Sequence, residues 1–325
     1  MARDRICSSA LETIGETPLV ELSRITRGLE GRILAKVEYF NPGFSKKDRI
    51  ALEMIEEAER DGRLTPGRTV VELTSGNTGT GLAIVCSLKG YPFVAVMSRG
   101  NTPERARMMA ALGAEVVLVE QAPGARPGQV SGESLKRVEE ATQRIVAERN
   151  GFRADQFSLM ANMRAHYLHT GPEIIRQSGG AVDAFCDFAG TGGSFAGVTQ
   201  ALHEHNPEAR CYIVEPAEAA VLAGLPACRP EHRIQGGGYA MAELAMLDGV
   251  KIDGYVQVTD EEAIGFTRRL AREEGLFAGF SSGANLAAAA KLLEGPCRGR
   301  TFAVLLCDSG LKYLSTDLWP PLDGE

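Results

Sequence analysis

The sequence contains no run of about 18 apolar residues, so no membrane-spanning helix is expected. Its start, MARDRICSSALETIGETPLVEL, lacks the apolar stretch of a secretory signal, and a cytoplasmic location is expected. Positive charge is scarce. Lys and Arg number 35 against 42 Asp and Glu, the formal charge is −7, and no basic cluster occurs. That excludes nucleic acid as the main partner, because phosphate backbones need grouped Lys and Arg. The seven cysteines form no CxxC pair and no Cys/His cluster. Neither a zinc site nor a disulfide framework follows, and a reduced compartment with inert thiols is expected. Only five histidines exist; His166 and His169 share a helical spacing, but no third ligand accompanies them, so no metal is expected. No internal repeat is present, which removes solenoids and propellers.

What remains is an ordinary globular composition, with 44 % hydrophobic and 24 % charged residues in 325. That length suits about two domains. Short β-branched runs alternate with helical stretches. VVELT (70–74), FVAVM (93–97), EVVLVE (115–120), AFCDF (184–188), CYIVE (211–215) and TFAVLLCD (301–308) read as buried strands. Helices are expected between them, over 81–90, 102–113, 133–151 and 195–205. Near-continuous apolar strands with intervening helices imply parallel sheets covered on both faces. Ligand is expected at the C-terminal ends of such strands. QAPGARPGQVSG (121–132) reads as a surface loop, and RADQF (153–157) as a crossover between domains.

Four segments carry candidate chemistry. In NPGFSKKDR (41–49), a turn leads to Ser45 as N-cap and a helix over 46–62. A lysine in that first turn faces the positive end of the helix dipole, which disfavours its ammonium form and suits a nucleophilic amine. In ELTSGNTGTGLA (72–83), a strand opens on hydroxyls, a carboxamide and helix-start amides, an anion site without a cationic side chain. An amino-acid carboxylate or a phosphate fits there. In FAGTGGSFAG (188–197), glycines let backbone amides approach a phosphate. It is neither a P-loop nor a dinucleotide fingerprint. In GLFAGFSSGANLAAA (275–289), Ser281 and Ser282 precede an alanine-rich helix.

Taken in order, these segments resemble the cysteine synthase (O-acetylserine sulfhydrylase) and cystathionine β-synthase family of fold-type-II pyridoxal-phosphate enzymes. The family's GNTPLV appears as GETPLV (15–20), NPxxSxKDR matches at 41–49, and TSGNTG matches at 74–79. GTGGT appears as GTGGS (190–194) and GIxSGA as GFSSGA (279–284). QF with TGPEI (156–157, 170–174), RIQGGG (233–238) and YLS (313–315) complete the set.

The resemblance implies a tryptophan synthase β-like fold: two three-layer α/β/α lobes with mainly parallel sheets. The larger lobe would span 1–39 and 151–325, and a smaller mobile lobe 40–150. It implies pyridoxal 5′-phosphate as cofactor. Lys47, directly before Asp48-Arg49, would attach it covalently and act as the catalytic base, while Lys46 occupies the variable position. Asn77 would bond its 3′-oxygen, Gly190, Thr191, Gly192, Gly193 and Ser194 its phosphate, and Ser281 its pyridine nitrogen. Thr74, Ser75, Gly76, Thr78, Gln156 and Gly236 would receive the amino-acid substrate. A neutral serine at the ring nitrogen makes a weaker electron sink than an aspartate, which favours direct β-elimination. The implied reaction is O-acetyl-L-serine plus sulfide giving L-cysteine and acetate. A homodimer is implied, with the C-terminal tail of serine acetyltransferase as a further partner.

Some positions depart from the pattern. Phe44 replaces a usual glycine, SLMANMRAH (158–166) a SNPANP-type stretch, and Gly237-Gly238-Tyr239 a GIGAGF-like turn. LLCDSG (305–310) replaces a PSSG-like strand end, bringing Cys307 and Asp308 toward the expected ring-nitrogen side. These sit where nucleophile or leaving group is chosen. A second reading is therefore a related enzyme: an O-phosphoserine sulfhydrylase, a cystathionine β-synthase-like or specialised amino-acid synthase, or a cysteine desulfhydrase. A third is a non-catalytic binding partner, against which Lys47, Asn77 and Ser281 speak together.

Overall fold

The computed structural model describes residues 6–123, 132–229 and 232–320. In chain order the elements are β1 (Leu19–Glu21), β2 (Arg32–Val37), α1 (Lys47–Arg60), β3 (Val70–Leu73), α2 (Asn77–Lys89), β4 (Phe93–Ser98), α3 (Pro103–Ala111), β5 (Glu115–Val119), α4 (Gly132–Glu148), β6 (Phe152–Arg153), α5 (Ala161–Ala165), α6 (Gly171–Gln177), β7 (Ala184–Phe188), α7 (Gly193–His205), β8 (Arg210–Pro216), β9 (Gly254–Val258), α8 (Asp260–Arg269), α9 (Phe280–Glu294) and β10 (Thr301–Leu306). The six expected strands all form, within a residue or two of their expected ends. The expected surface loop over 121–132 falls largely at 124–131, outside the described residues. Among the described residues no helix is long and apolar enough to cross a membrane.

The chain forms two compact units: Met1–Glu16 with Asn41–Asn162, and Thr17–Phe40 with Met163–Glu325. The division differs at both ends from the expected 40–150. Residues 6–16 join the first unit, where the Gly15 amide donates to Asn41 Oδ1 at 2.8 Å. Residues 151–162 join it too, because Phe152 and Arg153 pair with Val70 and Val71 of β3. RADQF is thus a strand end and turn inside one unit, not a crossover.

The first unit holds a four-stranded parallel sheet, ordered β5-β4-β3-β6. Strand side chains alternate between faces. Val71, Leu73, Val94 and Val96 therefore point the same way, onto Val138, Ala141 and Ile145 of α4. α2 packs against β3 and β4, and α1 packs against α2. Each such aliphatic side chain, fully buried, stabilises the fold by about 1.5–3 kcal/mol.

The second unit holds a six-stranded sheet, β1-β2-β10-β7-β8-β9. Only β1 runs antiparallel to its neighbour. One face, with Ile33, Cys186 and Val304, packs on Ala284, Ala287 and Ala288 of α9. The other, with Phe185, Ile213 and Leu305, packs on Phe195, Val198 and Leu202 of α7. Small residues let helices close on each other: a Cβ on Gly283 of α9 would sit 2.0 Å from Ala263 O of α8. Between α5 and α6 the helix widens into one π turn, His166–Thr170. His166 is buried there and bonds Thr170 Oγ1 at 2.9 Å, while His169 is exposed.

Candidate functional site

In the first unit, Asn41 to Phe44 form the expected turn, closed by the Phe44 amide on Asn41 O at 2.8 Å. Ser45 Oγ accepts the Lys47 amide at 3.2 Å, and Lys47 is the first residue of α1. The N-cap is Lys46, not the expected Ser45, whose hydroxyl instead closes a local turn ahead of the helix. A Cβ on Gly81 of α2 would lie 3.0 Å from Lys47 O, so the start of α1 and the body of α2 are in close contact. Lys47 and the 74–79 loop, which opens α2, therefore belong to one neighbourhood. Phe44 has φ +60, a left-handed conformation, and is 44 % exposed. That conformation costs a side chain about 1–2 kcal/mol. Phe44→Gly is expected to raise stability by about 0.5–1 kcal/mol in denaturant melts, after the extra backbone entropy of glycine is subtracted.

The loop itself is built around Gly76, at φ +134. Thr74 Oγ1 accepts the amides of Gly76 and Gly79 at 3.0 and 2.9 Å. Arg105 of α3 donates to Ser75 O at 2.8 Å and fills the space where a Gly76 side chain would go. Thr78 and Gln156 are brought together: Thr78 O–H donates to Gln156 Oε1 at 2.7 Å. Gln156 Nε2 donates to Leu73 O at 3.3 Å, and Asn162 Nδ2 donates to Gln156 O at 2.7 Å. A hydroxyl has one proton and a carboxamide two N–H groups. The Thr74 proton, one Gln156 N–H and the Ser75 hydroxyl are thus side-chain donors available to an anion.

Behind this loop lies a group that sequence reasoning passed over. Glu72 of β3 is fully buried; it accepts Arg153 Nε at 2.7 Å and the Gln156 amide at 3.4 Å. Arg153 reaches on to Glu139 of α4 at 3.1 and 2.9 Å. The signal was a lone acid inside the apolar run VVELT.

In the second unit, β7 runs into Gly190–Ser194 and then α7. Gly192 is the N-cap at φ +83, with no side chain capping the helix. A Cβ on Gly190 would sit 2.9 Å from Gly236 O, so the 190–194 and 233–238 segments touch, and only glycine allows it. Gly238 N–H donates to Ala189 O at 2.9 Å, fastening that contact. Tyr239 lines a shallow pocket with Gly190, Glu215, Leu222 and Met241. The Ser194 hydroxyl, expected to face phosphate, donates to Asp187 of β7.

α9 starts at Phe280, earlier than its alanine run suggests, so Ser281 and Ser282 stand in its first turn. The Cβ space of Gly279 is filled by Asp308 and Tyr313, which explains the glycine there. Tyr313 O–H donates to Asp308 at 2.7 Å, and the Cys307 amide donates to Ser282 Oγ at 2.9 Å. Cys307 and Asp308 are thus tied to the α9 start. No disulfide joins any of the seven cysteines; Cys228 is exposed and five others are buried. His203, Cys211 and Asp253 bring ligand atoms within 4.8 Å of one another, but Ala209 O already engages His203 Nε2 and the Cys211 amide engages Asp253.

His232 Nε2 meets Gly238 O at 2.8 Å, and its ring stands edge-on to Phe188. Burial holds its pKa below the ordinary 6.5. Below pH 6.5 the unfolded chain takes up a proton that the folded one refuses, so stability falls as pH drops through that range. His232→Gln is expected to flatten that acid limb in melts between pH 5 and 7.5.

Residues 10–308 match the pyridoxal-phosphate dependent enzyme family. The chain belongs to that family. It is 41 % identical to cysteine synthase 3 of Caenorhabditis elegans, across all of this chain and 94 % of the other. O-acetyl serine sulfhydrylase isoform 3 from Entamoeba histolytica superposes with a TM-score of 0.88 at 34 % identity, covering 100 % of this chain and 95 % of that one. O-ureido-L-serine synthase does so at 0.85 and 38 %, covering 99 % and 98 %. The protein is thus a pyridoxal-phosphate-dependent enzyme of the cysteine-synthase type, with the tryptophan synthase β-like fold. Its residues fit the cofactor. Uncapped helix amides at α7, beside glycines that no Cβ could replace, suit a phosphate without a cation, and a lysine amine opens α1.

Proposed function

We propose that this pyridoxal-phosphate enzyme carries out β-replacement on an activated L-serine, with O-acetyl-L-serine and sulfide giving L-cysteine and acetate. The observation that carries the reading is the loop opening α2, the helix that packs on Lys47: Thr78 bonds Gln156, and Thr74 holds the Gly76 and Gly79 amides. Lys47 attaches the cofactor, Asn77 bonds its 3′-oxygen, residues 190–194 hold its phosphate and Ser281 faces its ring nitrogen. The bound cofactor supplies the electron sink that makes the α-proton acidic. Thr74, Ser75, Gly76, Thr78 and Gln156 receive the substrate carboxylate, and Gly236 is a further substrate-binding residue. Lys47 Nζ, once free, takes the α-proton as acetate leaves the β-carbon. After sulfide adds at that carbon, the same amine returns the proton. A homodimer in a reducing cytoplasm, with a serine acetyltransferase tail as a partner, accompanies this reading.

The test is product analysis with O-acetyl-L-serine and sulfide, set beside O-phosphoserine, serine and cysteine. L-cysteine formed from the first pair supports the proposal, and no turnover of that pair sinks it. Phe44 favours a second reading. A phenyl kept in a strained conformation three residues before Lys47 suggests selection for another nucleophile, since such strain clusters at functional sites. Under that reading Phe44→Gly shifts preference among sulfide, thiols and amines in competition assays.

A further inference from the structure

Asp187 has no part in the chemistry proposed above, yet it lies under the 190–194 segment and is 1 % exposed. Hydrogen bonds fix the polarity of its surroundings. Phe188 N–H donates to Asn285 Oδ1 at 2.7 Å, so the other side of that carboxamide is its NH₂ group. Asn285 Nδ2 donates to Leu305 O at 2.9 Å and to Asp187 Oδ1 at 3.1 Å. Asp187 Oδ2 takes the Ser194 hydroxyl proton. A carboxylate only accepts, and serine has one proton to give. Ser194 is left with lone pairs, which a phosphate oxygen does not seek.

We propose that Asp187 is a positioning residue that holds Ser194 as an acceptor, so that backbone amides and Thr191 bind the cofactor phosphate without the Ser194 proton. The carboxylate also places a negative charge beneath an anion site. Both effects keep the cofactor more weakly held than an all-donor loop would hold it. The inference rests on reading 190–194 as the phosphate site.

Asp187→Asn separates this from a purely structural role. Asn285 donates toward Oδ1, so the new carboxamide presents its oxygen there and its NH₂ to Ser194. Ser194 then accepts from residue 187, and its own proton turns to the phosphate. A hydrogen bond to a charged group is worth about tenfold or more in affinity. The full chain, stripped of cofactor, is titrated with pyridoxal phosphate and followed by visible absorbance. Asp187→Asn is expected to bind about tenfold more tightly. Ser194→Ala is expected to lose about tenfold in the Asp187→Asn background and distinctly less in the wild-type background. Weaker or unchanged binding by Asp187→Asn overturns the proposal. So does a tenfold loss from Ser194→Ala alone, which stays decisive if Asp187→Asn fails to fold. Gly192→Val tests the underlying reading: unchanged affinity there defeats the phosphate assignment itself, whereas weakened affinity with wild-type behaviour of the other variants defeats only the role of Asp187.

Discussion

Lys47→Ala is expected to lower turnover by about 10³–10⁴-fold or more, because one amine is proposed both to attach the cofactor and to move the α-proton. Lys46→Met is expected to leave turnover near wild type. The pair is informative because the two lysines are adjacent and both are placed at the start of α1. Lys46 is the N-cap and 7 % exposed, while Lys47 is the first helical residue, beside Gly81 of α2. Absorbance provides a second readout. The visible band of a covalently attached cofactor is expected in Lys46→Met and absent from Lys47→Ala, whatever the substrate. Loss of the band in Lys46→Met, with retention in Lys47→Ala, would reverse the assignment.

The sequence made the scaffold of this neighbourhood readable for physical reasons. Strands such as VVELT and AFCDF are buried on both faces, so their apolar runs are nearly continuous and easy to recognise. Ser45 followed by an amphipathic run marks α1, and glycines at 76, 190 and 192 mark turns and close contacts that exclude other residues. The sheet edges were harder. β6 is two residues long, and its pairing to β3, not its composition, moves 151–162 into the first unit. The start of α9 was misread because its capping residue is a glycine in extended backbone, chosen for the side chains of Asp308 and Tyr313. Hydrogen-bond polarity was not legible. That Ser194 donates to Asp187, and that Thr78 and Gln156 satisfy each other, depends on residues far apart in sequence.

Arg153→Met is expected to destabilise most above about pH 8, where it strands the buried carboxylate of Glu72; breaking such a buried pair costs about 3–5 kcal/mol at full ionisation. The cost should depend on pH, and its sign follows from burial. Desolvation pushes Glu72 from 4.5 up to about 8, against the pull of Arg153. The unfolded carboxyl ionises near 4.5, whereas the folded one keeps its proton until about pH 8. The stability tied to this group is therefore complete below 4.5 and is lost as pH rises through the window up to 8. Removing Arg153 pushes the folded value higher still. Wild type and Arg153→Met share that loss below pH 8, so the deficit between them should be small near pH 6 and grow above about pH 8 in denaturant melts. Glu72→Gln combined with Arg153→Met should recover most of it and remove the growth. An equal deficit on both sides of pH 8 would show that Glu72 is not the stranded group. A buried ion pair of this kind is a poor source of stability, since well-packed apolar residues often serve as well. Its position suggests what it is kept for. Glu72 holds the Gln156 amide, and the Gln156 side chain holds Thr78, so the pair sets the geometry of the two residues proposed to meet the substrate carboxylate. The double variant, stable but without that anchor, is expected to raise KM for the amino acid more than it lowers kcat.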